Sequence, residues 1–98
     1  MKLSTSQIRF LRSQAHSLKP VVMVGANGVS ESLLEELNIA LNSHELIKVK
    51  VRAEEREERD DAIEQLCRKS KATKIQRVGH IVTLYRKNEN KPKIQLPK

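Results

Sequence analysis

Apolar residues recur along this chain first at helical spacing and then as short runs that alternate with charge. Ile8, Leu11, Ala15 and Leu18 fall on one stripe, with Arg9, Arg12 and His16 off it, which predicts a helix over 3–18. Ser4 followed by Gln7 is a capping-box pattern at its start. Lys19-Pro20 is its stop, because the residue before a proline is pushed out of the helical region. Val21-Val22-Met23-Val24 is a continuous apolar run of the kind buried on both faces in a parallel sheet. Gly25-Ala26-Asn27-Gly28 breaks that strand. A second helix follows, with Ser30 as N-cap, Glu31 in the first turn and Leu33, Leu34, Leu37 and Leu41 on its stripe. Val29 and Leu34 stand at the two positions of a hydrophobic staple.

From Leu46 to Arg52 the period changes to two: Ile47, Val49 and Val51 alternate with Lys48, Lys50 and Arg52, so one strand face is apolar and the other cationic. The stretch EEREERDDAIE opens a third helix whose stripe is Ala62, Ile63, Leu66 and Cys67. Its carboxylates stand at the start and Arg68, Lys69 and Lys71 at the end, the order that the helix dipole favours. Lys74–Val78 and His80–Arg86 flank Gly79 as an antiparallel hairpin. The expected order is α-β-α-β-α-β-β: an α/β (α+β) domain with two right-handed crossovers, a closing hairpin and a four-stranded mixed sheet. No repeat or linker divides it, so one domain is expected over 1–87. The polar, proline-bearing segment 88–98 is expected to be an extended or mobile tail.

Length and charge narrow what such a domain can do. The chain has 98 residues, a formal net charge of +7 and a pI near 9.9. A domain this small has little room for a deep pocket, which argues against a large enzyme. The charge is unevenly placed: the balance is +3 over residues 1–53, −5 over 54–67 and +9 over 68–98. Segregation of that kind suits a protein with one working face. One cysteine, Cys67, can form neither an internal disulfide nor a multi-thiolate zinc cage, and it reads as a core thiol from a reducing compartment. The N-terminus has no apolar signal segment, and no apolar run approaches membrane-spanning length, so the expectation is a cytoplasmic protein with no membrane partner. Phe10 and Tyr85 are the two aromatics, which argues against an aromatic base-stacking platform.

Three groups of residues are candidates for a binding site. In the loop Gly25-Ala26-Asn27-Gly28, between a strand and a capped helix, glycines let the backbone approach a ligand and free N–H groups can face a phosphate. A bare GxxG is common, and a tight turn with no ligand explains the spacing equally; the loop is neither a Walker motif nor a dinucleotide fingerprint. In Lys48, Lys50 and Arg52, like charges stand about 7 Å apart on one strand face, close to the spacing of successive phosphates. Either a polyanion or plain solvation accounts for them. Arg9, Arg12 and Lys19 lie on or just after the first helix, and residues 1–30 contain no acid. His16, His44 and His80 sit on three different elements without metal-ligand spacing, so no metal or cofactor is expected. The carboxylates of the third helix fit capping better than acid–base chemistry, and Tyr85 fits a half-buried strand position.

The stretch LKPVVMVGANGVSESLLEELNIAL, followed by HELIKVKV and GHIVTLYR, resembles the CRM (chloroplast RNA splicing and ribosome maturation) domain family, in particular its free-standing bacterial, YhbY-like form. The likeness covers about residues 3–86, and the closing KIQLP also fits. The resemblance implies a fold similar to the C-terminal domain of translation initiation factor 3, a GxxG loop comparable to that of KH domains, and no catalysis. It implies a partner as well: ribosomal RNA in precursors of the large subunit, during assembly. Carried onto this chain, the loop is Gly25, Ala26, Asn27 and Gly28, flanked by Lys19, Lys48 and Lys50. Many CRM loops carry lysine or arginine after the first glycine; here Ala26 stands there, which leaves the loop's part to backbone donors and Asn27. The resulting expectation is a monomeric RNA-binding assembly factor with no small-molecule substrate. The alternative is a protein-interaction module that binds an acidic partner on the same basic face.

Overall fold

A computed structural model of the chain describes residues 2–98. The first helix, α1, spans Thr5–Ala15 and carries the expected capping box: the Ser4 hydroxyl accepts from the Gln7 amide at 3.1 Å, and the Gln7 side chain accepts from the Ser4 amide at 2.9 Å. It ends earlier than the proline predicts. Its buried stripe stops at Ala15, and a turn in which the Leu18 amide donates to the Ala15 carbonyl leads to Pro20. Leu18 itself is exposed. With nothing to bury there, helix continuation to residue 18 has no packing to reward it.

The remaining elements follow in the predicted order: β1 Pro20–Val24, α2 Glu31–His44, β2 Leu46–Val51, α3 Arg56–Ser70, β3 Thr73–Val78 and β4 Ile81–Tyr85. They form one α+β domain with a four-stranded mixed sheet in the order β1-β2-β4-β3. β1 and β2 are parallel, and β2–β4 and β4–β3 are antiparallel. The α2 crossover thus joins neighbouring strands, whereas α3 carries β3 to the far edge and β4 returns into the gap.

β1 is consequently an edge strand, which corrects the expectation that it is buried on both faces. Val22 and Val24 are buried, while Val21 and Met23 face solvent. An unbroken apolar run looks the same whether one face or two are covered.

The two sheet faces are covered unequally. One face packs under α2 and α3, where Val22, Val24, Leu33, Leu37, Leu41, Ile47, Val49, Val51, Ile63, Leu66, Val82 and Leu84 form the main core. Each such side chain contributes about 1.5–3 kcal/mol when fully buried. The opposite face is covered for half its length by α1, through a smaller cluster of Leu11, Ala15, Leu46, Ile75 and Tyr85 with Ile8, Phe10, Ile94 and Leu96 around it. Tyr85 is fully buried there, not half-buried, and is closed to any stacking base.

Ile94 and Leu96 belong to the C-terminal segment, which is extended but tied down. Glu45, the C-cap of α2, has φ 63° and a fully buried side chain. Its carboxylate accepts from the backbone amides of Asn88 at 2.7 Å, Lys93 at 2.6 Å and Ile94 at 2.6 Å. A buried carboxylate needs such donors, since an unpaired one costs several kcal/mol. Further along, Gln7 Nε2 donates to the Pro97 carbonyl at 3.0 Å, fastening the tail to α1. Ile94 and Leu96 therefore complete the second core cluster.

Candidate nucleic-acid interface

Parallel pairing of β1 with β2 sets the geometry of the site. Met23 lies opposite Lys50 and Val24 opposite Val51, and the Arg52 amide donates to the Val24 carbonyl at 3.0 Å. Arg52 is thereby fixed at the point where β1 passes into the loop. The loop itself is a turn closed by the Gly28 amide donating to the Gly25 carbonyl at 3.0 Å. Gly28 has φ +67°, a left-handed conformation that side chains resist, so glycine is favoured there. Gly25 is different: its φ is ordinary and a Cβ would meet nothing within 4 Å. The bare backbone at Gly25 is not needed for packing and is open to a ligand.

Beyond the turn, the start of α2 is as expected. The Ser30 hydroxyl accepts from the Leu33 amide at 3.2 Å, and Val29 and Leu34 pack against the core. Glu31 sits in the first turn of this helix and already offsets part of its dipole. The stronger positive field near the loop therefore comes from β2.

Along β2 and into the residue after it the alternation holds: Ile47, Val49 and Val51 are buried, Lys50 and Arg52 are exposed, and Lys48 is half-buried. Among the described residues, ion pairs within 4.0 Å join Arg68 to Glu64 and Arg77 to Asp60, and none involves Lys48, Lys50 or Arg52. These cations are left to solvent or to a ligand.

A groove of about 720 Å³ joins strand and loop, lined by Met23, Gly25, Ala26, Lys50 and Arg52, and closed by Ala53, Glu54 and His80. His80 reaches this rim from the β3–β4 turn, where its backbone carbonyl accepts from the Val51 amide at 2.7 Å. Its ring nitrogen Nδ1 lies 3.3 Å from the Val51 carbonyl oxygen and 3.5 Å from an Arg59 nitrogen. Glu54 is the first residue of the acid block, so the groove is cationic along the sheet and acidic at one rim. A phosphate backbone in it is repelled from Glu54 and drawn toward β2.

Other sequence candidates lie apart from this groove. Lys19 precedes β1 at its opposite end and lines a separate crevice of about 390 Å³ with Gln14, Leu18, Val21 and His44. Arg9 and Arg12 are on the exposed side of α1, the helix that covers the other half of the sheet. Asn27 is at the tip of the turn and exposed, outside the groove lining. Sequence reasoning did not single out Met23 or His80 for this site. Met23 was hidden by the reading of β1 as doubly buried, and His80 is placed by the hairpin, which pattern alone does not dock against β2.

Several other titratable groups have internal roles. Arg86 donates to Asn38 Oδ1 at 2.7 Å, the Ser70 carbonyl at 2.8 Å and Asn42 Oδ1 at 2.9 Å, binding the ends of α2 and α3 together. Burial pushes its guanidinium below the usual value, and it is not part of the open cationic face. Burial raises the Cys67 thiol, with Lys74 acting in the opposite sense, so the thiolate is disfavoured in a side chain packed against the core. Among the described residues, no cluster of three or more histidine, cysteine or carboxylate side chains is placed to hold a metal, and no helix is long and apolar enough to cross a membrane.

With this geometry in place, the chain can be compared with known proteins. It is 51% identical over 96 residues to a Haemophilus influenzae protein named "RNA-binding protein", covering 98% of this chain and 96% of that one. It is 37% identical over 95 residues to the Bacillus subtilis "Probable RNA-binding protein YqeI", covering 97% and 99% respectively. Its fold is similar to the solution structure of a Staphylococcus aureus protein, with a TM-score of 0.83 at 29% identity, over 98% of this chain and 100% of the other. Residues 3–86 match the family model described as the CRS1 / YhbY (CRM) domain, the same span that carries the sequence resemblance. The chain belongs to the CRS1/YhbY (CRM) domain family.

Proposed function

We propose that this chain binds ribosomal RNA in precursors of the large ribosomal subunit and acts there as an assembly factor. The RNA backbone is held between the 25–28 loop and the cations of β2. The observation that carries this reading is the meeting of Gly25, Ala26, Lys50 and Arg52 around one groove, with the cations free of ion pairs among the described residues. Unpaired cations at phosphate spacing, beside backbone that no side chain covers, suit a polyanion better than a small neutral ligand. RNA in place of DNA is supported by the names of the H. influenzae and B. subtilis relatives. The ribosomal precursor is supported by the family resemblance. On this reading the protein is a cytoplasmic monomer, performs no catalysis and needs no cofactor.

The test is ultraviolet crosslinking in growing cells followed by sequencing of the bound RNA. The expected result is strong enrichment of large-subunit ribosomal RNA, with the protein sedimenting among immature large particles. Crosslinks spread in proportion to RNA abundance would remove the ribosomal assignment. Ribonuclease treatment of a pull-down separates the alternative of an acidic protein partner, because an association that survives it is not bridged by RNA.

A further inference from the structure

We infer that the RNA held here is unpaired, and that its bases lie on an aliphatic row crossing the open half of the sheet; this deepens the RNA-binding reading above and rests on it. Strand register defines the row. Met23 on β1 is opposite Lys50 on β2, Lys50 is opposite Ile81 on β4, and Ile81 is opposite Val78 on β3. Residues paired in register share a face, so Met23, Lys50, Ile81 and Val78 cross all four strands on the side that α1 leaves open. Strands lie about 4.8 Å apart, which gives the row a length of roughly 14 Å, enough for two or three nucleobases.

Met23 is 51% exposed and Val78 68%, although the chain buries most of its other large apolar side chains. Exposed apolar groups set in a cationic face favour a ligand that offers phosphate and a flat apolar surface together. A paired RNA helix hides its base faces in the stack and shows phosphates, sugars and groove edges. An unpaired strand shows both phosphates and base faces. Lys48 and Lys50 on β2 and Arg52 just past its end follow one another at about 7 Å spacing, which sets the path of the backbone, and bases turned aside from it meet Met23 on one side and Ile81 and Val78 on the other. Both aromatics are excluded from this role: Tyr85 is buried beneath α1, and Phe10 packs in the same cluster. Aliphatic side chains, methionine above all, adapt to any base, so the row selects pairing state and not sequence.

Fluorescence anisotropy on the full chain tests the inference, with an unstructured 12-nucleotide RNA and a blunt duplex of the same length as probes in the same buffer. The wild type should prefer the single strand by roughly tenfold, equivalent to about 1.4 kcal/mol. Met23→Ser combined with Val78→Ser should erase that preference, single-strand affinity falling roughly tenfold further than duplex affinity in a protein that stays folded by circular dichroism; Val78→Ser alone, outside the groove lining, should give part of the effect. Equal wild-type affinity for the two RNAs overturns the inference, as does a double variant that keeps its preference. Failure of the underlying reading looks different: the wild type binds neither probe, or Lys48→Glu with Lys50→Glu leaves binding to both intact.

Discussion

Gly25 and Gly28 flank one turn and have different relations to the backbone. Gly28 holds φ +67°, and Gly28→Ala should lower stability by about 1–2 kcal/mol in a denaturant titration. Gly25→Ala meets no obstacle in the fold, so its Tm should stay near that of the wild type while RNA affinity falls severalfold as the new methyl group obstructs the ligand. Unchanged affinity would leave the loop as a turn without a ligand. Tyr85 gives a second prediction at this scale. Its hydroxyl is buried without a partner among the described residues, so Tyr85→Phe should leave stability at neutral pH unchanged or slightly raised. Burial first, then the charges of Glu45 and Glu89, raise its pKa above the ordinary value of about 10. An acid whose pKa is raised by folding contributes stability below its unfolded pKa and loses it as pH rises through the folded value. Wild-type Tm should therefore fall more steeply than that of Tyr85→Phe above about pH 10, measured by thermal melts in paired buffers. Cys67 is present in both proteins and cancels from the difference.

At the level of elements, local patterns placed most of what was found. The capping box at Ser4, the N-cap at Ser30 and the alternation of β2 are read directly from residue order because they depend on neighbours within four positions. The less legible features depend on what comes to lie against what. Nothing local distinguishes β1 as an edge strand, puts β4 between β2 and β3, or shows that His80 will close the groove beside Arg52. The loop and the β2 cations were visible as separate candidates; parallel register is what makes them one site and leaves Lys19 at the other end of β1. Because Lys50 is exposed and Lys48 half-buried, Lys48→Glu with Lys50→Glu should keep the fold, monitored by circular dichroism, and reduce RNA affinity by at least tenfold. A variant that folds and binds normally removes β2 from the interface.

Across the whole molecule, the acid block of the sequence becomes part of a layer. Glu31, Glu35 and Glu36 on α2 and the carboxylates of α3 belong to the helical layer away from the open sheet face and outnumber the cations Arg56, Arg59, Arg68 and Lys69 there, while Glu54 stands apart at the groove rim. The acidic side faces away when the sheet side approaches a polyanion, which orients encounter before contact. If about four phosphates are neutralised, log affinity should fall against log salt with a slope of roughly −3, measured from 50 to 300 mM salt; a flat response would point to apolar contacts alone. The buried Glu45 carboxylate has a consequence in time. Its partner amide at Lys93 lies 48 residues further along the chain. During synthesis at roughly 5–20 residues per second, Glu45 emerges some seconds before the segment that satisfies it. Until then the carboxylate must stay hydrated, which holds the corner between α2 and β2 open and leaves the cluster around Tyr85 unfinished. The domain is locked only once residues 88–94 have joined it.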